Sequence, residues 1–319
     1  MHLLVPFASD LSEACQHVLR DLSLPNLERL LGALTPVARD DGEATSLSPP
    51  HERALAAAWH WQGGDGALPF AAHAAAADGI DTGDLAWALL TPGHWQLGRD
   101  DVVLLDPEAI EIDDDESTSL FETLRPQFES EGFRAAWGHA RRWYAGRDDL
   151  DGFATASLDR AIGRNVDQWI RAADAAQAVP QRDTSRLVRR LQSEAQLLFH
   201  QHPVNDAREE RGALAVNSFW LSGCGRQQPA DAAATPDVAF DLRRPLLAGD
   251  WATWAEAWRA LDAGTLAALA ARAGSGEPVA LTLSGERSSA RFENRPRPLW
   301  QRLRGGWRKT PAHELLATL

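Results

Sequence analysis

The sequence has little cysteine and no long apolar run. Its 319 residues contain two cysteines, Cys15 and Cys224. Two cysteines so far apart provide no disulfide framework and are typical of a protein from a reducing compartment. No run of about 18 apolar residues occurs, so we predict no membrane-spanning helix. The first residues lack the positive region and the longer apolar stretch of a signal peptide. We therefore expect a cytoplasmic protein without a membrane partner.

Positive charge is also scarce. The chain has 32 Lys and Arg against 45 Asp and Glu, a net charge of −13. Such a chain binds polyanions poorly, so we predict no nucleic-acid partner. One stretch, residues 295–309, combines arginines with tryptophans. That pattern is typical of segments that bind single-stranded nucleic acid or an anionic surface. Because the rest of the chain is acidic, we favour docking of this stretch on the chain itself.

Apolar spacing alternates between short runs and helical patterns. A period near 3.6 predicts helices, and short apolar runs predict strands. The predicted helices are 11–22, 25–34, 52–61, 67–77, 114–128, 184–200 and 251–271. The predicted strands are 2–8, 87–90, 102–105, 137–144, 218–221 and 278–283. This alternation favours the α/β class.

One block of the sequence resembles a known enzyme family. Residues 200–212 read HQHPVNDAREERG, and residues 217–226 read NSFWLSGCGR. The block resembles the "HPVN-x-x-R-x-x-x-G … AN-x-x-x-x-x-G-x-G" stretch of archaeal-type, cofactor-independent phosphoglycerate mutases, which belong to the alkaline phosphatase superfamily. Weaker similarities follow in the same order along most of the chain, at residues 24–30, 84–91 and 250–285.

The resemblance implies a fold and a domain organisation. It implies an α/β protein with an alkaline-phosphatase-like core, built on a mixed or parallel sheet, and an inserted α+β lobe. The core would comprise residues 1–64 and 196–319, and the lid-like lobe residues 65–195. In such a core the strand at residues 2–7 shares one sheet with the strand at residues 279–283.

The chemically essential positions of that family do not match. Where the family has a metal-binding Asp-Gly, this chain has PFAS at residues 6–9. The nucleophile turn corresponds to SPPHE at residues 48–52, and proline supplies neither a hydroxyl nor an N–H. The Asp-His ligand pair becomes Glu286-Arg287, which puts a permanent cation in place of an imidazole. Because these ligand positions are lost together, we predict no bound metal and no cofactor. In-line phosphoryl transfer of this type needs two metals, so the loss also argues against retained mutase activity.

Two sets of polar residues remain candidates for a site. The glycine-rich segment after the strand at 218–221 could aim N–H groups at an anion, with an arginine as a charged partner. The predicted anion-binding residues are Ser222, Gly223, Gly225, Arg226 and Arg287. The alternative is a tight turn with a surface salt bridge. Three polar residues of the resembling block, Asn205, Arg208 and Asn217, are predicted to support this loop.

Catalytic candidates are weak. His51 and Glu52 could form an acid/base pair at the altered nucleophile turn, although Glu52 equally begins a helix. We predict a pseudoenzyme of the phosphoglycerate mutase type that acts as a small-anion-binding or regulatory protein, with a phosphorylated or carboxylate small molecule, or a protein, as partner. The alternatives are an active phosphoryl-transfer enzyme with ligands drawn from His51, Asp250, Glu286 and His202, or a structural interaction protein without a ligand.

Overall fold

The computed structural model describes residues 1–99, 101–294 and 311–319. Its strands are β1 (His2–Val5), β2 (Thr35–Asp41), β3 (Ala86–Gly93), β4 (Trp95–Leu97), β5 (Val102–Leu104), β6 (Arg134–His139), β7 (Arg142–Gly146), β8 (Ser218–Arg226), β9 (Asp237–Val238), β10 (Ala280–Ser284) and β11 (Ser288–Glu293). One mixed sheet, two antiparallel sheets and many helices among the described residues confirm the α/β class.

The helices begin at recognisable signals. Ser12 caps the first one, accepting a 3.3 Å bond from the N–H of Cys15, and Pro25 opens the second. The helices are α1 (Glu13–Asp21), α2 (Pro25–Ala33), α3 (Pro50–Ala58), α4 (Phe70–Ala77), α5 (Asp114–Ser130), α6 (Leu158–Ala161), α7 (Val166–Ala176), α8 (Arg182–His200), α9 (Pro203–Glu210), α10 (Arg243–Leu247), α11 (Trp251–Leu261), α12 (Ala267–Gly274) and α13 (Ala312–Leu316). Within the described residues, no helix combines the length and apolar character needed to cross a membrane.

The chain divides into two compact units. One comprises residues 1–44, 49–60 and the described part of 230–319, and the other residues 45–48 and the described part of 61–229. Residues 196–229, which the predicted core included, are part of the second unit. The predicted domain bounds, 1–64 with 196–319 and 65–195, stay a prediction.

The first unit is built on a mixed five-stranded sheet in the order β2-β11-β10-β1-β9. β1 runs parallel to β10, with His2 opposite Ala280 and Val5 opposite Leu283. The prediction that the first strand and the strand near residue 280 share a sheet is therefore confirmed. Buried parallel strands appear in a sequence as continuous apolar runs, and Leu3, Leu4 and Val5 are buried.

The second unit contains an antiparallel sheet in the order β6-β7-β3-β8. At its centre, β3 pairs with β7 on one side and with β8 on the other. Trp143 and Phe219 are fully buried in a core that α5 and α8 complete.

Three predicted elements need correction. The predicted strand 137–144 is a hairpin of β6 and β7, because the turn at residues 140–141 interrupts it. The predicted helix 251–271 contains a π-helical turn, Asp262–Leu266, between α11 and α12. The predicted strand 218–221 continues to Arg226, so the glycines lie in a strand and not in a turn after it. The sequence pattern missed the end of this strand because it contains two glycines, and glycine normally weakens strand propensity.

The position of His2 in β1 leads to a pH prediction. Burial, with a smaller effect from Arg291, lowers the pKa of His2 from 6.5 to about 4. The unfolded chain therefore takes up a proton near pH 6.5, whereas the folded chain does so only near pH 4. We expect the free energy of unfolding to fall as the pH is lowered through this window. Urea unfolding at several pH values should show a shallower fall for His2→Gln, which can keep the hydrogen bond to Thr282.

The matched control for this prediction is His17→Gln, at an exposed position of the same unit. It should leave the pH dependence as it is in the unmutated protein. Equal slopes for the unmutated protein and His2→Gln would contradict the prediction.

Candidate functional site

In the first unit, polar and main-chain groups gather where β1 and β10 end. Ligands of open α/β sheets bind at the carboxyl ends of parallel strands. The main-chain N–H of Ala8 donates to the oxygen of Ser284 at 2.8 Å, which extends the contact with β10 beyond the end of β1. The connection 6–9 and the turn 285–288 therefore lie side by side.

An aromatic residue stands where the resemblance implies a metal-binding carboxylate. Phe7 has a φ of 57°, and its ring centroid lies 5.0 Å from that of His51. The main-chain oxygen of Phe7 accepts from Nε1 of Trp254 at 3.1 Å, and the oxygen of Ala8 accepts from Nε1 of Trp258 at 3.3 Å. Two buried tryptophans thus hold the connection after β1 in place.

The turn between β10 and β11 binds an oxygen of the last described residue. The N–H groups of Arg287 and Ser288 both donate to the main-chain oxygen of Leu319, at 3.0 and 2.7 Å. The Leu319 side chain is fully buried in the core of this unit. Two adjacent donors on one oxygen resemble an oxyanion-binding arrangement.

The turn is fixed from its other side. The main-chain oxygen of Arg287 accepts from the N–H of Gly42 at 3.0 Å and from the Arg53 guanidinium at 2.9 Å. At Gly285 a Cβ atom would lie 2.4 Å from Oγ of Ser9 and 2.5 Å from the carbonyl carbon of Leu319. Glycine is needed at this position because the chain approaches so closely. The N–H pair is therefore preorganised.

Charges around the turn are mostly paired. Arg53 binds Asp40 at 2.6 Å, and Arg39 binds Asp41 at 2.7 Å. Arg39 also donates to the main-chain oxygen of Thr318 at 2.7 Å. Arg287 is exposed and forms no ion pair within the described part of the chain. After the hydrogen bonds from Arg39 and Ser288, the charge of Arg287 also contributes to lowering the pKa of Asp41.

The candidate acid/base and metal residues have other contacts. His51 is buried and packs on Phe7, and Glu52 lies in the first turn of α3. Asp250 caps α11, where hydrogen bonds from Thr253 lower its pKa. Glu286 accepts from the N–H of Leu11 at 3.1 Å.

His202 belongs to the second unit, where it caps α9, and burial lowers its pKa. Across residues 1–99, 101–294 and 311–319, no three His, Cys, Asp or Glu side chains are grouped as a metal site.

The glycines of the predicted anion site are explained by packing within the second unit. Gly223 has a φ of 69°, and a Cβ there would lie 2.9 Å from the main-chain nitrogen of Ala71. A Cβ at Gly225 would lie 3.0 Å from Cβ of Pro69. Both glycines let the start of α4 approach β8 closely. Ser222 is buried opposite Leu89 in the same strand pair.

The neighbouring side chains are engaged as well. Arg226 pairs with Asp148 at 2.9 Å and with Asp151 at 3.2 Å. Burial raises the pKa of Cys224 to about 12, so its thiol stays protonated. The anion site at Ser222–Arg226 stays a prediction, and each of its groups has a structural contact that accounts for it.

The three predicted supporting residues make several main-chain bonds. Asn205 donates to the oxygens of Phe199 and Val216 at 2.8 and 2.7 Å and accepts from the N–H of Val216 at 2.9 Å. Asn217 bonds both main-chain groups of Trp95, at 2.7 and 3.0 Å.

Arg208 is fully buried. It donates to the oxygen of Leu214 at 2.8 Å and binds the oxygen of Ile110 and the Glu116 carboxylate. These bonds tie α9 and residues 214–217 into the second unit.

Sequence reasoning singled out Arg287 as an anion-binding candidate, which stays a prediction, and it missed the groups around this residue. Leu319, Gly42 and Arg53 lie far from it along the chain and carry no motif. A weak signal existed at residues 314–319, ELLATL, whose apolar residues indicate a buried segment. The basic stretch 295–309 lies outside the described residues, so its predicted docking stays a prediction.

Comparisons with known proteins give distant likenesses only. No protein-family model matches this chain, and no curated protein matches it. A cofactor-independent phosphoglycerate mutase from Thermoplasma acidophilum is similar, with 17% identity, 91% of this chain and 89% of that chain covered, and a TM-score of 0.37. A protein from Pyrococcus horikoshii shares 12% identity over 92% of this chain and 86% of that chain, with a TM-score of 0.43. Neither likeness indicates what this chain binds.

Proposed function

We propose that this protein binds a small oxyanion, a carboxylate or a phosphate, at the turn 285–288. One observation carries the proposal: the N–H groups of Arg287 and Ser288 converge on the single oxygen of Leu319. The segment 311–319 therefore occupies the site in this structure, and an anion would have to displace it. The proposed role is that of a regulatory binding protein whose own last described segment competes with the ligand.

The chemistry of the turn supports an anion more than a neutral ligand. Consecutive N–H groups form a concave, partly positive surface that binds anionic oxygens. Arg287 can add a charge-assisted hydrogen bond, which is worth about 1.5–3 kcal/mol. Its planar fork fits both carboxylate and phosphate.

The residues nearby support binding without phosphoryl transfer. Phe7 and His51 pack on each other where the resemblance implies a metal ligand and a nucleophile turn. Pro49 and Pro50 supply no hydroxyl that could attack phosphorus. An arginine that stays charged, Arg287, can bind the anion but cannot act as a metal ligand.

Competition by the segment 311–319 sets the apparent affinity. A ligand can bind only to molecules in which the segment 311–319 has left the turn. Its apparent affinity is therefore its intrinsic affinity multiplied by the fraction of molecules with an open turn. Docking of the segment depends on burial of Leu319, and deleting a buried leucine side chain costs about 2–5 kcal/mol. Weakening this contact should therefore raise the open fraction and tighten ligand binding.

The test is a titration with inorganic phosphate, followed by the NMR shifts of the Arg287 and Ser288 amides and by calorimetry. We expect Leu319→Ala to tighten phosphate binding about tenfold or more, since tenfold corresponds to about 1.4 kcal/mol. We expect Arg287→Gln to weaken it by about threefold or more, because one charge-assisted bond is lost.

The matched control is Leu269→Ala, which removes an equally buried leucine from α12 of the same unit. It should lower stability without changing phosphate affinity. Sodium chloride at equal ionic strength controls for screening. The proposal fails if phosphate shifts neither amide, or if both leucine variants change the affinity equally.

A further inference from the structure

The segment 311–319 makes more than one polar contact near the turn 285–288. The oxygen of Leu319 accepts from the N–H groups of Arg287 and Ser288. In addition, the main-chain oxygen of Thr318 accepts from the Arg39 guanidinium at 2.7 Å, and its hydroxyl accepts from the same guanidinium at 3.3 Å. Two consecutive main-chain oxygens are therefore bound, whereas a free phosphate would replace only the contact of Leu319.

Arg39 is held in position for this contact. It lies in β2, opposite Ala290 of β11, and its guanidinium pairs with Asp41 at 2.7 Å. The turn 285–288 joins β10 to β11, so the arginine and the N–H pair belong to neighbouring strands of the same sheet. Donors of this kind bind the main-chain oxygens of a peptide, whatever its side chains are.

Burial selects the side chain of the occupant. Leu316 and Leu319 are fully buried in the core of the first unit, whereas Ala317 between them is exposed. A charged side chain in place of Leu319 would lose its water without gaining a partner, which is unfavourable. The surroundings therefore require an apolar residue next to the bound oxygen.

Gly285 fits the backbone of the occupant. A Cβ at this glycine would lie 2.5 Å from the carbonyl carbon of Leu319 and 2.6 Å from its Cβ. The residue that carries the bound oxygen thus lies directly against the main chain of the turn. This close approach fixes both the oxygen and the apolar side chain relative to the N–H pair.

We infer that the anion bound at this turn is the terminal carboxylate of a partner protein whose last residue is apolar, with leucine fitting best. The inference rests on the proposed function and names the class of carboxylate. Capture of a terminal carboxylate by consecutive backbone N–H groups is a recurring mode of peptide recognition. The partner's last residue would replace Leu319, and the preceding carbonyl oxygen would accept from Arg39.

The probe is the acetylated peptide ELLATL, which has the sequence of residues 314–319 and carries a free carboxylate. A change in the turn would weaken the protein's own segment and the peptide alike, so the variants are made in the peptide. We expect Leu319→Asp in the peptide to weaken binding about tenfold or more, because burial of a leucine is lost. Converting the carboxylate to an amide should weaken it about threefold or more.

The matched control is the peptide with Ala317→Asp, which adds the same charge at an exposed position and should change the affinity less than twofold. Calorimetry and the NMR shifts of the Arg287 and Ser288 amides measure binding to the unmutated protein and to Leu319→Ala. The variant should bind the peptide about tenfold more tightly, because its own segment competes less. The order of the peptides should be the same for both proteins, so the result does not depend on the variant alone.

Failure of the inference is distinguishable from failure of the proposed function. If phosphate shifts the two amides but the unaltered peptide does not bind, or binds no better than the Leu319→Asp peptide, the inference is wrong and the proposed function stands. If neither phosphate nor the peptide shifts them, both fail. A dimer of the unmutated protein that Leu319→Ala abolishes would assign the turn to the segment 311–319 of a second copy and overturn the inference.

Discussion

Replacing Arg208 by alanine should lower the free energy of unfolding by about 3–5 kcal/mol, the usual cost of removing one partner of a buried ion pair. Arg208 is fully buried and makes contacts with Leu214, Ile110 and Glu116. Its removal leaves two carbonyl oxygens and part of a carboxylate without donors. Urea unfolding followed by circular dichroism would measure the loss.

Arg211 provides the matched control, because it binds the same Glu116 carboxylate. Its side chain is 51% exposed, whereas that of Arg208 is 0% exposed. We expect Arg211→Ala to cost less than about 1 kcal/mol, as exposed ion pairs do. Equal losses for the two variants would mean that burial of Arg208 does not determine its contribution.

Replacing Gly223 by alanine should cost about 3 kcal/mol or more. Its φ of 69° costs an L-residue about 1–2 kcal/mol. In addition, the new Cβ would lie 2.9 Å from the main-chain nitrogen of Ala71, so α4 and β8 would have to move apart. Such overpacking adds about 1–3 kcal/mol. Thermal unfolding would show the change as a lower Tm.

Gly212→Ala separates backbone strain from packing. Gly212 has a φ of 74°, and nothing lies within 4 Å of the position of a Cβ there. We expect this variant to cost only about 1–2 kcal/mol. A loss as large as that of Gly223→Ala would show that the close approach of α4 contributes nothing.

The Gly223 variant also bears on the predicted anion site at residues 222–226. If packing against α4 is the reason for this glycine, phosphate at millimolar concentration should not change the stability difference between Gly223→Ala and the unmutated protein. A phosphate effect that only the unmutated protein shows would instead support a ligand at this strand.

Local sequence patterns predicted much of the fold. The run of Leu3, Leu4 and Val5, and the run at 280–283, predicted two buried strands. The resemblance placed them in one sheet, and β1 and β10 are parallel neighbours. Helices such as α8 followed from a clear 3.6-residue period. The mismatches to the resembling family at 48–52 and 286–288 were also read from the sequence, and the loss of chemistry that they imply stays a prediction.

Sequence patterns predicted the candidate site only in part. Arg226 and Arg287 look equivalent in the sequence, yet Arg226 is paired with two aspartates while Arg287 is exposed beside an N–H pair. Gly223 and Gly225 resemble an anion-binding turn, yet residues 69–71 lie where side chains at these two positions would be. Neither distinction has a local signature.

The sequence by itself determined the α/β class and the two buried strands near residues 3–5 and 280–283. These properties depend on residue type and on spacing within one element, which are local. The tertiary structure alone decided which glycines face a helix, which arginine forms no ion pair with the described residues, and that the main-chain oxygen of Leu319 is bound by the turn after β10. Such outcomes depend on atoms brought together from distant parts of the chain, because close packing and charge pairing are set by neighbours in space.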